Sequence, residues 1–320
     1  MRDLNARLDE SVIENLQRYL PLFDLSVIEL SAGANEDDNL QKYLRFYQLP
    51  LPSPNLTVCA GRLEVGDNQI FTLAWQPTKA VGTVIVVHGY MDHIGLFNHL
   101  IEHLLERQLN VVCFDLPGHG LSTGRPGYIL DYGEYVGVLE SVINVSREKF
   151  SAPLHAVGQS MGGAVLLKHL IKHKTDYPFA SLNLFAPLLF PRGWNINRWL
   201  HLLSKPFTDT SKRVYRDSSW DKDFLTFVRD CDPLQASRLP LVWVGALKKW
   251  IKEFKQSEGG NLKINLIQGD ADKTVDWETN LVEFKGKFPA LKVHMIKSGN
   301  HHLVNEIKPL REEIFDALEL

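Results

Sequence analysis

The 320-residue chain has only three cysteines, Cys59, Cys113 and Cys231, far apart and with no CxxC spacing. An odd count this sparse is a poor basis for a disulfide framework and fits a reducing compartment best. A surplus of one charge is missing too: 35 Lys and Arg face 38 Asp and Glu, so the basic excess of a nucleic-acid binder is absent. Nor is there a long hydrophobic run. The most apolar stretches, TVIVVHG and LVWVGAL, fall far short of the ~20 residues that cross a bilayer as a helix. The opening MRDLNARLDESVIENLQRYL sets charges among leucines at helical spacing and lacks a small-residue cleavage site, so a cytoplasmic protein is expected. Neither internal repeats nor low-complexity segments occur.

What is present is an alternation of short β-branched runs with longer helical patterns. Strands are expected at LTVCAGRLEV, NQIFTLAWQ, GTVIVVHG, NVVCFDL, LHAVGQ, SLNLFAP, LKINLIQGD and LKVHMIK. Helices are expected near 95–108, 130–148, 160–173, 277–288 and 303–319. This pattern predicts an α/β fold, a mostly parallel central sheet flanked by helices. Two parts stand outside it. Residues 1–50 read as an N-terminal helical extension that ends at the proline-rich LPLPSPN. Residues 188–250 carry five tryptophans and only one apparent strand, LPLVWVG, and read as a helical cap inserted between core segments 51–187 and 251–320.

Chemistry is concentrated at HAVGQSMGGAVL. Here Ser160 stands in a GxSxG pattern after an apolar strand and before a helical run, the context of a nucleophile elbow rather than of an ordinary Gly/Ser turn. Glycines at 158 and 162 leave room for a strained turn, and the helix start aims free N–H groups at the reacting oxygen. A serine needs a base, and the base needs a carboxylate. Downstream strand exits offer Asp270, Asp272 and Asp276, then His301 and His302, in the order Ser, Asp, His. At VIVVHGYMDH the strand ends in His88 and Gly89, and the backbone N–H of Tyr90 can join that of Met161 as an oxyanion hole.

The series HGYMDHIGLF, FDLPGHGLSTG, GQSMGG, LFAPLL, QGDADKTV and GNHHLVNE resembles the serine α/β-hydrolases, and among them the monoacylglycerol lipase and lysophospholipase branch. The resemblance implies Asp272 as the acid, by the pattern GxxDxxV, and His301 as the base, by the pattern HxxxNE ending in Asn305 and Glu306. It also implies that CDPLQ marks the exit from the cap. The second histidine of GNHH and the N-terminal extension depart from the branch.

Together these readings predict a serine hydrolase that cleaves carboxylic esters through an acyl-enzyme, without cofactor or metal. Its partner is a small-molecule ester with an acyl chain, and the cap's mixture of Trp, Leu and Lys leaves room for peripheral membrane contact. An amidase or aminopeptidase with the same triad, and a non-catalytic module of the same fold, are the alternatives. His99 and His103 have the i, i+4 spacing of metal ligands but no accompanying carboxylate or cysteine cluster. Asp115, Gly118, His119 and Gly120 are expected to shape a turn.

Overall fold

The computed structural model describes residues 4, 7–23, 28–30, 39–174, 176–194, 209–260 and 262–320. Its strands are β1 (Ile28–Leu30), β2 (Leu56–Val65), β3 (Asn68–Pro77), β4 (Gly82–Val87), β5 (Leu109–Phe114), β6 (Leu154–Gln159), β7 (Ser181–Phe185), β8 (Thr210–Lys212), β9 (Arg238–Pro240), β10 (Asn265–Gly269) and β11 (Lys292–Ile296). Nine of them form one sheet in the order β1, β2, β3, β5, β4, β6, β7, β10, β11. Pairing is antiparallel from β1 to β5 and parallel from β5 to β11. The central strands GTVIVV and LHAVGQ are buried along their whole length, which is why residues 84–87 read as an unbroken apolar run, while LHAVGQ buries the polar His155 and Gln159 as well.

Helices cover both faces, as expected of an α/β-hydrolase fold. They are α1 (Glu10–Tyr19), α2 (Asn39–Phe46), α3 (Asn98–Glu106), α4 (Tyr132–Lys149), α5 (Met161–Lys172), α6 (Lys222–Thr226), α7 (Leu241–Gln256), α8 (Trp277–Lys287) and α9 (Lys308–Asp316). Side chains of α4, α5, α7 and α8 fill one core, and those of α1, α2, α3, α6 and α9 fill the other. No helix among the described residues is long and apolar enough to cross a membrane.

Two readings of the sequence are corrected. LPLVWVG is not a strand beyond its first residues: β9 ends at Pro240, and α7 starts at Leu241. Leu241, Trp243, Ala246, Leu247, Trp250, Ile251 and Phe254 are buried at helical spacing, and burying that stripe outweighs the β preference of Val242 and Val244. This helix also runs across the boundary expected at residue 250. The N-terminal extension is not purely helical, because β1 adds an edge strand against β2. Val12, Leu16, Leu40, Tyr43 and Leu44 share a core with β3, β4 and β5, so this segment packs as part of the α/β body. In the segment expected to be the cap, residues 195–208, including Trp199, lie outside the described residues. The rest combines α6, a short π-helix at Phe227–Cys231, the antiparallel pair of β8 and β9 and the first part of α7.

Candidate active site

Ser160 stands directly after β6 and directly before α5, with φ 53° and ψ −110°. This is the left-handed region, costly for a serine, and close packing on both sides enforces it. A Cβ on Gly162 would come within 2.1 Å of the Val87 carbonyl oxygen, and one on Gly158 within 2.6 Å of Leu166 Cδ1. The turn is pinned by the Ser160 N–H, which donates to the Phe185 carbonyl at 2.8 Å.

Two further strand exits converge on this turn. His301, after β11, places Nε2 2.9 Å from Ser160 Oγ and Nδ1 2.7 Å from Asp272 Oδ2, after β10. Because ionised Asp272 only accepts, the proton sits on His301 Nδ1 and leaves the Nε2 lone pair for the serine hydroxyl. Asp272 also accepts from Gln268 Nε2 at 3.1 Å and from the N–H groups of Thr274 and Val275 at 2.7 and 3.1 Å. Burial alone would raise its pKa, but the charge and hydrogen bond of His301 and the two backbone donors hold it below the ordinary carboxylate value. Asp270 and Asp276 are not in this line: Asp270 accepts from the Ser298 N–H at 2.6 Å, and Asp276 caps α8.

His302 is turned away from Ser160. Its Nε2 lies 3.2 Å from Asp92 Oδ2 and its backbone N–H donates to the Ser218 carbonyl at 2.7 Å. Asp92 Oδ2 and Ser160 Cβ both lie against the bare face of Gly89, 2.5 and 3.4 Å from where a Cβ would stand. Among the described residues no acceptor takes up the N–H of Tyr90 or of Met161. The side chain of Tyr90 has its own contacts, however, which sequence reasoning missed: it stacks on Trp243 of α7 with ring centroids 3.9 Å apart, and its hydroxyl donates to the Gly127 carbonyl at 3.0 Å. His88 donates from Nδ1 to the Gly89 carbonyl at 2.7 Å and accepts at Nε2 from the Leu116 N–H at 2.9 Å. Burial, reinforced by His119, pushes its pKa down to about 3, so it stays neutral. Asp115 accepts from the N–H groups of Ile94 and Leu121, both at 2.8 Å, and so holds the turn expected of it.

Two motif residues given no catalytic role, Gln159 of GQSMGG and Glu306 of GNHHLVNE, complete the candidate site as supports. Gln159 Nε2 donates to the His301 carbonyl at 2.8 Å. Fully buried Glu306 accepts from the Asn300 N–H at 2.6 Å with one oxygen and from the Trp220 N–H at 3.0 Å with the other, clamping the loop that carries His301. Over Ser160 opens a cavity of about 650 Å³. Leu188, Leu225, Leu241, Trp243, Val244 and Leu247 give it an apolar lining, and Arg192, Lys212, Arg213, Arg216 and Arg229 give it a basic one.

Among the described residues, metal-ligating types also meet once outside this site. Glu140, His169 and His173 offer ligand atoms within 4.8 Å of one another, at the end of α5 away from Ser160. Glu140 is shared there with Lys172, 2.7 Å away. Of the spaced pair, His99 lies 3.8 Å from Glu102 and His103 packs its ring on Phe315.

Residues 78–308 match the family described as serine aminopeptidase, S33. Phospholipase YtpA of Bacillus subtilis is 28% identical over 252 residues, which cover 76% of this chain and 95% of the relative. Monoglyceride lipase of Homo sapiens is 31% identical over 122 residues, covering 38% of this chain and 40% of that protein. Among solved structures, a soluble variant of monoglyceride lipase from Saccharomyces cerevisiae in complex with a substrate analog superposes with a TM-score of 0.68 at 15% identity, covering 80% of this chain and 91% of that one. The likeness of that structure is one of fold.

Proposed function

The chain belongs to the serine aminopeptidase S33 family of hydrolases, and on that premise we propose that it cleaves carboxylic esters of the monoacylglycerol or lysophospholipid type through an acyl-enzyme. The observation that carries this reading is the unbroken line from Ser160 Oγ through the His301 ring to Asp272. Ser160 attacks the ester carbonyl while His301 Nε2 takes its proton, and Asp272 steadies the imidazolium that forms. The N–H groups of Tyr90 and Met161 receive the negative oxygen. Collapse of the tetrahedral intermediate expels the alcohol, protonated by His301. Water, activated by the same ring, then releases the carboxylic acid and restores Ser160.

The apolar lining suits an acyl chain, and a volume of about 650 Å³ is of the size that holds a small lipid-like ligand. A lipid ester also agrees with the names of the relatives, a phospholipase and a monoglyceride lipase. The family's description favours a second reading, an aminopeptidase, which would have to hold the ammonium of a peptide N-terminus. Five basic residues against two carboxylates, Asp92 and Asp217, make this cavity a poor host for a cation. Assaying p-nitrophenyl octanoate beside an aminoacyl p-nitroanilide tests the choice. Ester turnover that disappears in Ser160→Ala supports the proposal; turnover of the anilide alone overturns it in favour of the aminopeptidase.

A further inference from the structure

The basic residues of the cavity have no part in the triad chemistry, and their arrangement is uneven. Leu241, Trp243 and Leu247 are buried, whereas Lys212, Arg216 and Arg229 are exposed and Arg213 is half-buried. Acyl-binding surface therefore lies inside and positive charge on the solvent side, where the alcohol part of an ester projects once its acyl chain is seated. Arg213 is fixed in place: Nη1 donates to Gln235 Oε1, and the guanidinium lies over the Tyr215 ring at 4.5 Å. Among the described residues, no hydrogen bond takes up its Nε or Nη2. Arg216 is held by one nitrogen on the Lys273 carbonyl at 3.1 Å. Arg229, by contrast, is occupied by Asp230 through two nitrogens. Of the opposing carboxylates, Asp92 faces His302 and Asp217 is exposed.

A guanidinium held by one nitrogen with its other donors open is the geometry that grips a phosphate at two oxygens. We propose that Arg213, with Arg216 and Lys212 beside it, binds a phosphate on the alcohol part of the substrate, so that phosphate-bearing acyl esters are preferred to neutral monoacylglycerols. The proposal rests on the reading of Ser160, His301 and Asp272 as an ester-cleaving triad. It narrows the substrate to lysophospholipid-like esters, and it makes Arg213 a specificity residue.

The test compares kcat/KM for 1-octanoylglycerol, 1-octanoylglycerol 3-phosphate and 1-octanoylglycerophosphocholine, all below their micelle concentrations, in wild type, Arg213→Gln and Arg216→Gln. Wild type is expected to favour both phosphate esters over the neutral one by about 10-fold or more, the range of a charge-assisted hydrogen bond. Preference for the terminal phosphate alone would assign recognition to its second negative charge, and preference for both to the phosphate oxygens; either supports the proposal. In Arg213→Gln the ratio of phosphate to neutral ester is expected to fall toward one. An equal or better rate on the neutral ester in wild type overturns the proposal and leaves the triad standing. Hydrolysis of none of the three overturns both. Vesicles of phosphatidylglycerol supply the remaining arm: if Arg213→Gln loses vesicle binding while the ratio on monomeric substrates stays at its wild-type value, the basic residues serve a membrane surface and headgroup selection is overturned.

Discussion

Tyr47 donates its hydroxyl proton to Asp232 Oδ1 at 2.8 Å, across 185 residues of chain. The other oxygen of Asp232 meets His93 Nε2 at 2.9 Å and Gln235 Nε2 at 2.8 Å. One buried carboxylate thus ties the end of the N-terminal segment and the CDPLQ turn to the loop that leads on from Tyr90. Removing it strands a buried histidine and a buried phenol, so Asp232→Ala is expected to lose about 3 kcal/mol or more of stability in chemical denaturation. Burial raises the Asp232 pKa, but His93, Tyr47 and Gln235 together hold it below the ordinary value. A depressed folded-state pKa contributes stability above the unfolded value of about 3.9 and loses it as pH falls toward the folded one. Asp232→Asn should therefore flatten the loss of stability below about pH 4, and an unchanged acid limb would contradict the assignment.

His301 and His302 are adjacent, yet only His301 reaches Ser160. His301→Ala is expected to lower turnover about 10³-fold or more, and His302→Ala no more than about 10-fold. Steady-state kinetics on a short-chain ester measures both, and the reverse ranking would exchange their roles.

Of the three aspartates after β10, Asp272 alone faces His301. Asp272→Asn keeps the size but loses the charge that supports the imidazolium, and is expected to cost about 10³-fold or more in kcat with near-native folding by circular dichroism. Asp276→Asn keeps a side-chain oxygen to cap α8 and loses only the negative charge at its N-terminus, so it is expected to shift stability by about 1 kcal/mol or less with little change in kcat.

The apolar lining sets a chain-length profile. Each buried CH₂ contributes up to about 0.8 kcal/mol, so lengthening the acyl chain from butyryl to octanoyl is expected to raise kcat/KM by as much as ~10²-fold. Rates on p-nitrophenyl esters below their micelle concentrations give the profile; a maximum at acetyl would mean that Leu241, Trp243 and Leu247 pack only on each other.

Most of the sheet was legible because its strands are β-branched runs bounded by turns, and the site because Ser160, Asp272 and His301 each follow such a run inside a local motif. Helix α7 was half hidden: in the seven residues of LPLVWVG the valines suggest a strand, and only a window reaching Trp250 and Phe254 reveals the 3.6-residue period. Strand β1, at three residues, is too short to give a periodic signal. The Tyr90 stack on Trp243 and the Glu306 contact with Trp220 join parts of the chain that no spacing relates, so sequence alone could not pair them; the Asn300 contact of Glu306, by contrast, lies within the single motif GNHHLVNE. The near-neutral total averages the basic side of the cavity away, whereas the local composition of the cap segment, where Trp, Leu and Phe stand beside Lys and Arg, already suits apolar faces turned inward and a basic exterior.

The central claim is that Ser160 is the nucleophile, and covalent labelling tests it without presuming a substrate. Intact-mass measurement after reaction with a fluorophosphonate, followed by peptide mapping, is expected to show one adduct per chain, on Ser160, and none in Ser160→Ala, whose folding circular dichroism can verify. No adduct on the folded wild-type protein, or an adduct that persists in Ser160→Ala, would contradict the account.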